Sequence, residues 1–225
     1  IGMVRQVIRR LKAQRPGLTV VLGGPEVTFR PAEILSQWPE VSYVLCGEGE
    51  ESFPALMRAL AEKRTPAGIP GLAARDEHGA VSLMSAQPLR AAPPDPYSQA
   101  YMERLKGRIA YLETSRGCPF SCSFCLSGVK EKVRFFEMER AKENLVRLAN
   151  SGAKTIKFID RTFNCHPDRA YELLSFILDQ RGQTFPEDVC FHFEVGADLF
   201  QPRFLALLAT APPGLIQIEA GLQSF

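Results

Sequence analysis

The chain has 225 residues, 45% hydrophobic and 23% charged, enough for a sizeable core in one large domain or two small ones. Its 27 basic and 25 acidic residues leave a formal charge of +2, which creates no global field that would call for a nucleic acid or an anionic membrane as partner. No run approaches the roughly 20 apolar residues that span a bilayer, and the opening IGMVRQVIRR lacks the features of a signal peptide, so the expected location is cytoplasmic.

The first residues already carry a helical pattern, Val4, Val7, Ile8 and Leu11, and the last form a strand-like IQIEAGLQSF, so the sequence reads as a piece cut at both ends. After a turn at PGL, the apolar run Leu18 to Leu22 ends at Gly23 and Gly24, which predicts a buried parallel strand. A helix fits PAEILSQWP, with Pro31 in its first turn. The strand VSYVLCG and the helix EGEESFPALMRALAEKR follow. Alternation of this kind predicts an α/β fold with a doubly wound parallel sheet, here over residues 1–65.

Residues 66–107 change character: two short strand-like pieces surround DEHG, a hairpin signal, and a Pro/Ala-rich linker follows, with the boundary near Pro94. From Arg108 to residue 225 the alternation resumes in longer units. The strands RIAYLETS, TIKFID, VCFHFEV and LIQIEAG alternate with three helices; Gly152 suits a helix end and Pro167 a helix start. Repeats of this size predict about four units of a partial β/α barrel, whose chemistry belongs at the carboxyl ends of the strands.

Directly after the first of these strands comes RGCPFSCSFC, which gathers Cys118, Cys122 and Cys125 in eight positions with no fourth cysteine nearby. Closed structural metal sites take four protein ligands, so three thiols leave one metal position open for a reacting molecule. Clustered cysteines in a cytosolic chain point to metal or catalysis. A zinc site would need a fourth ligand from Cys165, His166 or Cys190, each on a later unit.

The spacing Cys118-x3-Cys122-x2-Cys125 resembles the signature of the radical S-adenosylmethionine (SAM) enzymes. The resemblance implies that these three residues hold a [4Fe-4S] cluster whose fourth iron binds SAM, with Phe124 packing by the adenine. It implies reductive cleavage of SAM to a 5′-deoxyadenosyl radical, fed by a flavodoxin- or ferredoxin-type electron donor. KFIDRTFN resembles a strand-end variant found in cobalamin-dependent members, offering Asp160 and Asn164 to the methionyl end of SAM; Arg161 departs from the commoner Asp. By the same resemblance, Glu194 in FHFEVGAD and Glu219, Gln223 and Ser224 in IQIEAGLQSF approach SAM, and Gly221 allows close backbone approach. His166 and His192 read as surface or core histidines, and Cys46, Cys165 and Cys190 as small buried apolar residues.

VVLGGPEVTFRPAEIL and VSYVLCGEGEESFPAL resemble the second half of the cobalamin (B12)-binding domain that precedes many radical SAM cores. That resemblance implies cobalamin contacts at Gly23, Gly24, Gly47 and Glu48; the Asp-x-His-x-x-Gly motif that ligates cobalt in many such domains is not in this sequence. The reaction implied is methyl transfer to an unactivated carbon of a small molecule or peptide. Two alternatives stand beside it. A methylthiotransferase-like enzyme would need further cysteines in the front part, which offers only Cys46. A non-catalytic zinc or iron-sulfur binding module would hold a fully ligated metal indifferent to SAM.

Overall fold

The structure, a computed structural model, describes residues 1–89, 92–126 and 132–221. The chain divides into two compact units, Ile1–Pro94 and Asp95–Phe225.

The first unit begins with helix α1 (Gly2–Gln14), strand β1 (Val21–Gly23), a short α2 (Pro25–Thr28) and α3 (Pro31–Gln37). Strand β2 (Tyr43–Leu45) and helix α4 (Gly49–Ala61) follow, then the hairpin strands β3 (Leu72–Arg75) and β4 (Val81–Leu83). β1 and β2 pair in parallel, as the βα alternation predicts. The sheet continues as β1-β2-β3-β4 because the hairpin adds to the free edge of β2 with antiparallel pairing. Pleating sends successive side chains to opposite faces. Val44, Cys46 and Ala73 thus join Ile8, Leu35 and Trp38 on one side, while Leu45 and Leu72 meet Leu56 and Ile69 on the other.

Two small residues make the hairpin's attachment possible. Gly71 has φ +77°, and a Cβ there would stand 2.2 Å from the carbonyl oxygen of Cys46. Without a side chain, its own carbonyl accepts from the Cys46 amide at 2.8 Å. At the turn, Asp76 Oδ1 accepts from the amides of His78 and Ala80 at 2.9 and 2.8 Å, the local bonding by which Asp favours turns.

The second unit opens with a short α5 (Gln99–Met102), then strand β5 (Ile109–Leu112) and a two-residue strand β6 (Ser115–Arg116). β7 (Arg134–Phe135), α6 (Met138–Ala149), β8 (Thr155–Phe158), α7 (Pro167–Gln180), β9 (Cys190–Val195), α8 (Pro202–Leu208) and β10 (Ile216–Ala220) complete it. The four longer strands pair all in parallel in the order β10-β9-β8-β5, so successive units lie side by side. A sequence-adjacent progression of parallel strands with a helix between each pair is barrel winding, whereas the first unit's sheet ends in an antiparallel hairpin.

Strand alternation divides the faces of this sheet. Ala110 and Leu112, Ile156 and Phe158, Phe191 and Phe193 point into one core with Leu145, Leu148, Leu173 and Leu174 of the helices. Phe158, Phe163 and Phe193 stack at centroid distances of 4.3 to 5.2 Å, fixing the carboxyl ends of β8 and β9. The opposite face carries Tyr111, Lys157, His192, Glu194 and Glu219 at the alternate positions. α7 starts at His166, whose Nδ1 accepts the Arg169 amide at 3.4 Å, with Pro167 next. Gly152, at φ +81°, reverses the chain after α6 as its position predicts.

Candidate metal centre and the strand ends around it

The cysteine loop departs from the carboxyl end of β5. Its two arms pair as β6 and β7, Ser115 with Phe135 and Arg116 with Arg134. Gly117, at φ +104°, lets them close: a Cβ there would meet the Lys132 carbonyl oxygen at 3.2 Å. Cys118 is half-buried with its Sγ 3.7 Å from Thr162 Oγ1, while Cys122 and Cys125 are exposed, and none of the three is in a disulfide. Cys122 and Cys125 share a turn in which the Cys125 amide donates to the Cys122 carbonyl at 3.1 Å. Phe124 is 71% exposed.

Among the described residues no three His, Cys, Asp or Glu side chains converge closely enough to hold a metal ion. The donor set nevertheless fits an iron-sulfur cluster: three thiols on one loop at a strand's carboxyl end, with a fixed stem and an exposed tip.

At the end of β8, Asp160 is 2% exposed. Its Oδ1 accepts from the amides of Thr114 and Ser115 at 2.7 and 3.0 Å, and its Oδ2 from the Thr114 hydroxyl. Burial pushes its pKa up, opposed by those donors. Asn164 is buried as well: its Nδ2 donates to the Gly196 carbonyl and its Oδ1 accepts from the Gly196 amide, both at 2.9 Å. The resemblance offers both residues to SAM; in the structure the carboxylate of Asp160 bonds Thr114 and Ser115, and the amide of Asn164 bonds the backbone of Gly196.

Glu194 and Glu219 lie directly opposite each other on β9 and β10, on the face away from the helices. Lys157 of β8 reaches both, at 3.1 and 3.3 Å, and His192 Nε2 stands 3.3 Å from Glu219. Its bond to Glu194 foremost, then that to Glu219, holds the Lys157 ammonium above the usual lysine range against the pull of burial. His192 is buried and its Nδ1 has no partner among the described residues. Gly221 is exposed, and Gln223 and Ser224 lie outside the described residues.

In the first unit, Gly24 is the residue before α2, with φ +94° and open space where a Cβ would be. A Cβ on its neighbour Gly23 would meet only the Leu45 carbonyl, at 3.5 Å. Gly47 and Glu48 are engaged by the chain itself: a Cβ on Gly47 would be 2.9 Å from that of Ala86, and Glu48 Oε2 accepts from the Leu89 amide at 2.7 Å. The opening at this strand end is thus on the Gly23–Gly24 side. Of the remaining cysteines, Cys46 is buried as expected, and Cys165 and Cys190 are half-buried.

The sequence reading passed over Thr114, Lys157, Arg169 and His192 as site residues. Thr114 is bonded at every polar group: besides Asp160, its carbonyl accepts from the Phe136 amide at 2.9 Å and from Arg169 Nη2 at 3.2 Å. The guanidinium of Arg169 also lies over the Phe135 ring at 5.5 Å. Strand alternation was the available signal for Lys157 and His192, which occupy the non-core positions of TIKFID and VCFHFEV.

Comparison with known proteins agrees with this architecture. The radical SAM superfamily model matches residues 112–225 and the B12 binding domain model residues 1–57. The 2-(S-pantetheinyl)-carbapenam-3-carboxylate methyltransferase of Streptantibioticus cattleyicolor is 32% identical over 80% of this chain. The cobalamin-dependent radical SAM methyltransferase TokK of Streptomyces tokunonensis is 31% identical over 79% of it. This chain spans 28% of the length of each of those relatives. The fold of the methyltransferase TsrM of Kitasatospora setae, solved with cobalamin and a [4Fe-4S] cluster, superposes with a TM-score of 0.75 at 22% identity, covering 98% of this chain and 44% of TsrM. The chain belongs to the radical SAM superfamily, its radical SAM segment preceded by a B12-binding-domain segment.

Proposed function

We propose that this chain carries the cluster-binding and SAM-binding part of a cobalamin-dependent radical SAM methyltransferase acting on a small molecule. The observation that carries the proposal is the Cys118, Cys122, Cys125 loop, with no disulfide, at the carboxyl end of the first strand of a barrel-wound sheet whose non-core face is polar. In this reading those thiols ligate a [4Fe-4S] cluster, Phe124 covers the adenine of SAM, and Gly23 and Gly24 let cobalamin approach the backbone. Bound there, the cluster supplies one-electron reduction of SAM and cobalamin supplies a methyl carrier.

The chain's own part is to place and to shield. The three thiols fix the cluster at the mouth of the sheet, where the strand ends deliver their side chains. Lys157 bridges Glu194 and Glu219 on the non-core face, so both carboxylates are oriented before a ligand arrives, and orientation set in advance is what a bound reactant gains from the protein. In this reading Gln223 and Ser224 also approach SAM. No helix among the described residues is long and apolar enough to cross a membrane. A cytoplasmic location and an electron donor of the flavodoxin or ferredoxin type complete the proposal.

Electron paramagnetic resonance of anaerobically reconstituted, dithionite-reduced protein tests it. A reduced four-iron signal that changes when SAM is added, and is absent from Cys118→Ala, Cys122→Ala and Cys125→Ala, is the expected result. Bound zinc, or a cluster indifferent to SAM, would make the three-thiol loop structural and remove the catalytic reading.

A further inference from the structure

We propose that Asp160 is a positioning residue of the cysteine loop, fixing through Thr114 and Ser115 the stem from which Cys118 projects. The inference rests on reading Cys118, Cys122 and Cys125 as cluster ligands. Asp160 stands at the end of β8 and its partners 46 and 45 residues earlier, at the point where the chain leaves β5 for the loop. Its carboxylate receives three donors, two amides and a hydroxyl. An acceptor-only group matches such a set, and charge-assisted bonds of this kind are roughly twice as strong as neutral ones.

The stem is held from the other side as well. The Thr114 carbonyl accepts from Phe136 and Arg169, the Arg169 guanidinium covers Phe135 of β7, and Phe135 pairs with Ser115. Thr162, two residues beyond Asp160, touches Cys118 itself. The stem before Cys118 and Cys118 itself are therefore anchored to the β8 end, whereas Cys122 and Cys125 are exposed. Cys118 is thereby presented in a fixed place before any metal arrives. A carboxylate occupied in this way has no accessible oxygen left for a ligand, and its burial agrees.

The variants to compare are Asp160→Asn, Thr114→Val and Thr114→Ser. Asparagine brings an amide nitrogen against donors and reverses the match; valine keeps the shape of Thr114 without its hydroxyl; serine keeps the hydroxyl. Hydrogen exchange of the metal-free protein reads the stem directly. Amides of Thr114 and Ser115 are expected to exchange about tenfold faster in Asp160→Asn and Thr114→Val, with β9 amides unchanged and Thr114→Ser close to the parent. After reconstitution, the first two variants are expected to hold several-fold less iron, with a shifted midpoint potential in what remains, while SAM affinity per assembled cluster is preserved.

Unchanged exchange at Thr114 and Ser115 would overturn the proposal. So would an Asp160→Asn variant that keeps its full iron and potential but loses SAM binding, which would make Asp160 a SAM contact. Failure of the parent protein to take up iron would remove the cluster reading and this inference with it; altered exchange at the stem shows in that case that the fault lies in the ligand assignment. Should Asp160→Asn fail to fold, the contrast between Thr114→Val and Thr114→Ser decides alone.

Discussion

At the residue scale, Gly71 and Gly79 separate two reasons for a glycine. Both lie in the hairpin segment with nearly equal positive φ, +77° and +80°. A Cβ on Gly79 would meet open space, so Gly79→Ala bears only the cost of a left-handed conformation, about 1 kcal/mol. A Cβ on Gly71 would stand 2.2 Å from the Cys46 carbonyl oxygen, a backbone atom that cannot swing aside. Gly71→Ala is expected to cost at least ~2 kcal/mol more, because it separates β3 from β2 as well as straining φ. Urea midpoints of the two variants check this, and equal losses would remove the steric argument. The DEHG turn was legible because Asp76 and Gly79 are local signals. The demand on Gly71 was not, since it arises only when residue 71 meets residue 46 across the sheet.

At the element scale, β8, β9 and β10 share one pattern: apolar side chains toward the helices, charged ones on the other face. Their existence and type could be read from the strand-like runs, and the barrel winding from the repeat of strand and helix. The register could not, and register is what sets Glu194 opposite Glu219 and Lys157 beside His192. For the same reason Asp160 and Asn164 could be seen as strand-end residues while their partners, Thr114 and Gly196, could not. Lys157→Met leaves two like charges facing each other, which across adjacent strands costs up to about 1 kcal/mol, less for the solvent that reaches Glu219. The Lys157 pKa is raised on folding, so its contribution is fully present below the ordinary lysine range and lost as pH rises through the folded value. The stability gap between parent and Lys157→Met is therefore expected to be constant from about pH 7 to 9 and to narrow above roughly pH 10.4. Denaturant titrations across that range measure it; a gap that widens with pH would contradict the assignment of Lys157 as the bridging cation.

At the scale of the whole molecule, each unit owns its core. The residues buried around Leu35, Val44 and Leu56 all lie within Ile1–Pro94, and those around Phe158, Leu174 and Phe191 within Asp95–Phe225. Phe191 is fully buried near the start of β9, its ring centroid 5.5 Å from that of Phe185. Phe191→Ala removes a large apolar surface and leaves a cavity walled by two strands and a helix layer that cannot collapse together, at a cost of ~3 to 5 kcal/mol. Hydrophobic burial falls off beyond direct contact, and substitutions without shared partners act independently. Hydrogen exchange followed by mass spectrometry is therefore expected to show Phe191→Ala loosening β8, β9 and β10 while β1 and β2 keep their protection, and Val44→Ala the converse. Loss of protection in both units from either substitution would mean that they unfold as one cooperative body. Confinement to one unit would give the radical SAM part a stability of its own, so that loosening of the cysteine loop could be measured without disturbing the B12-binding segment.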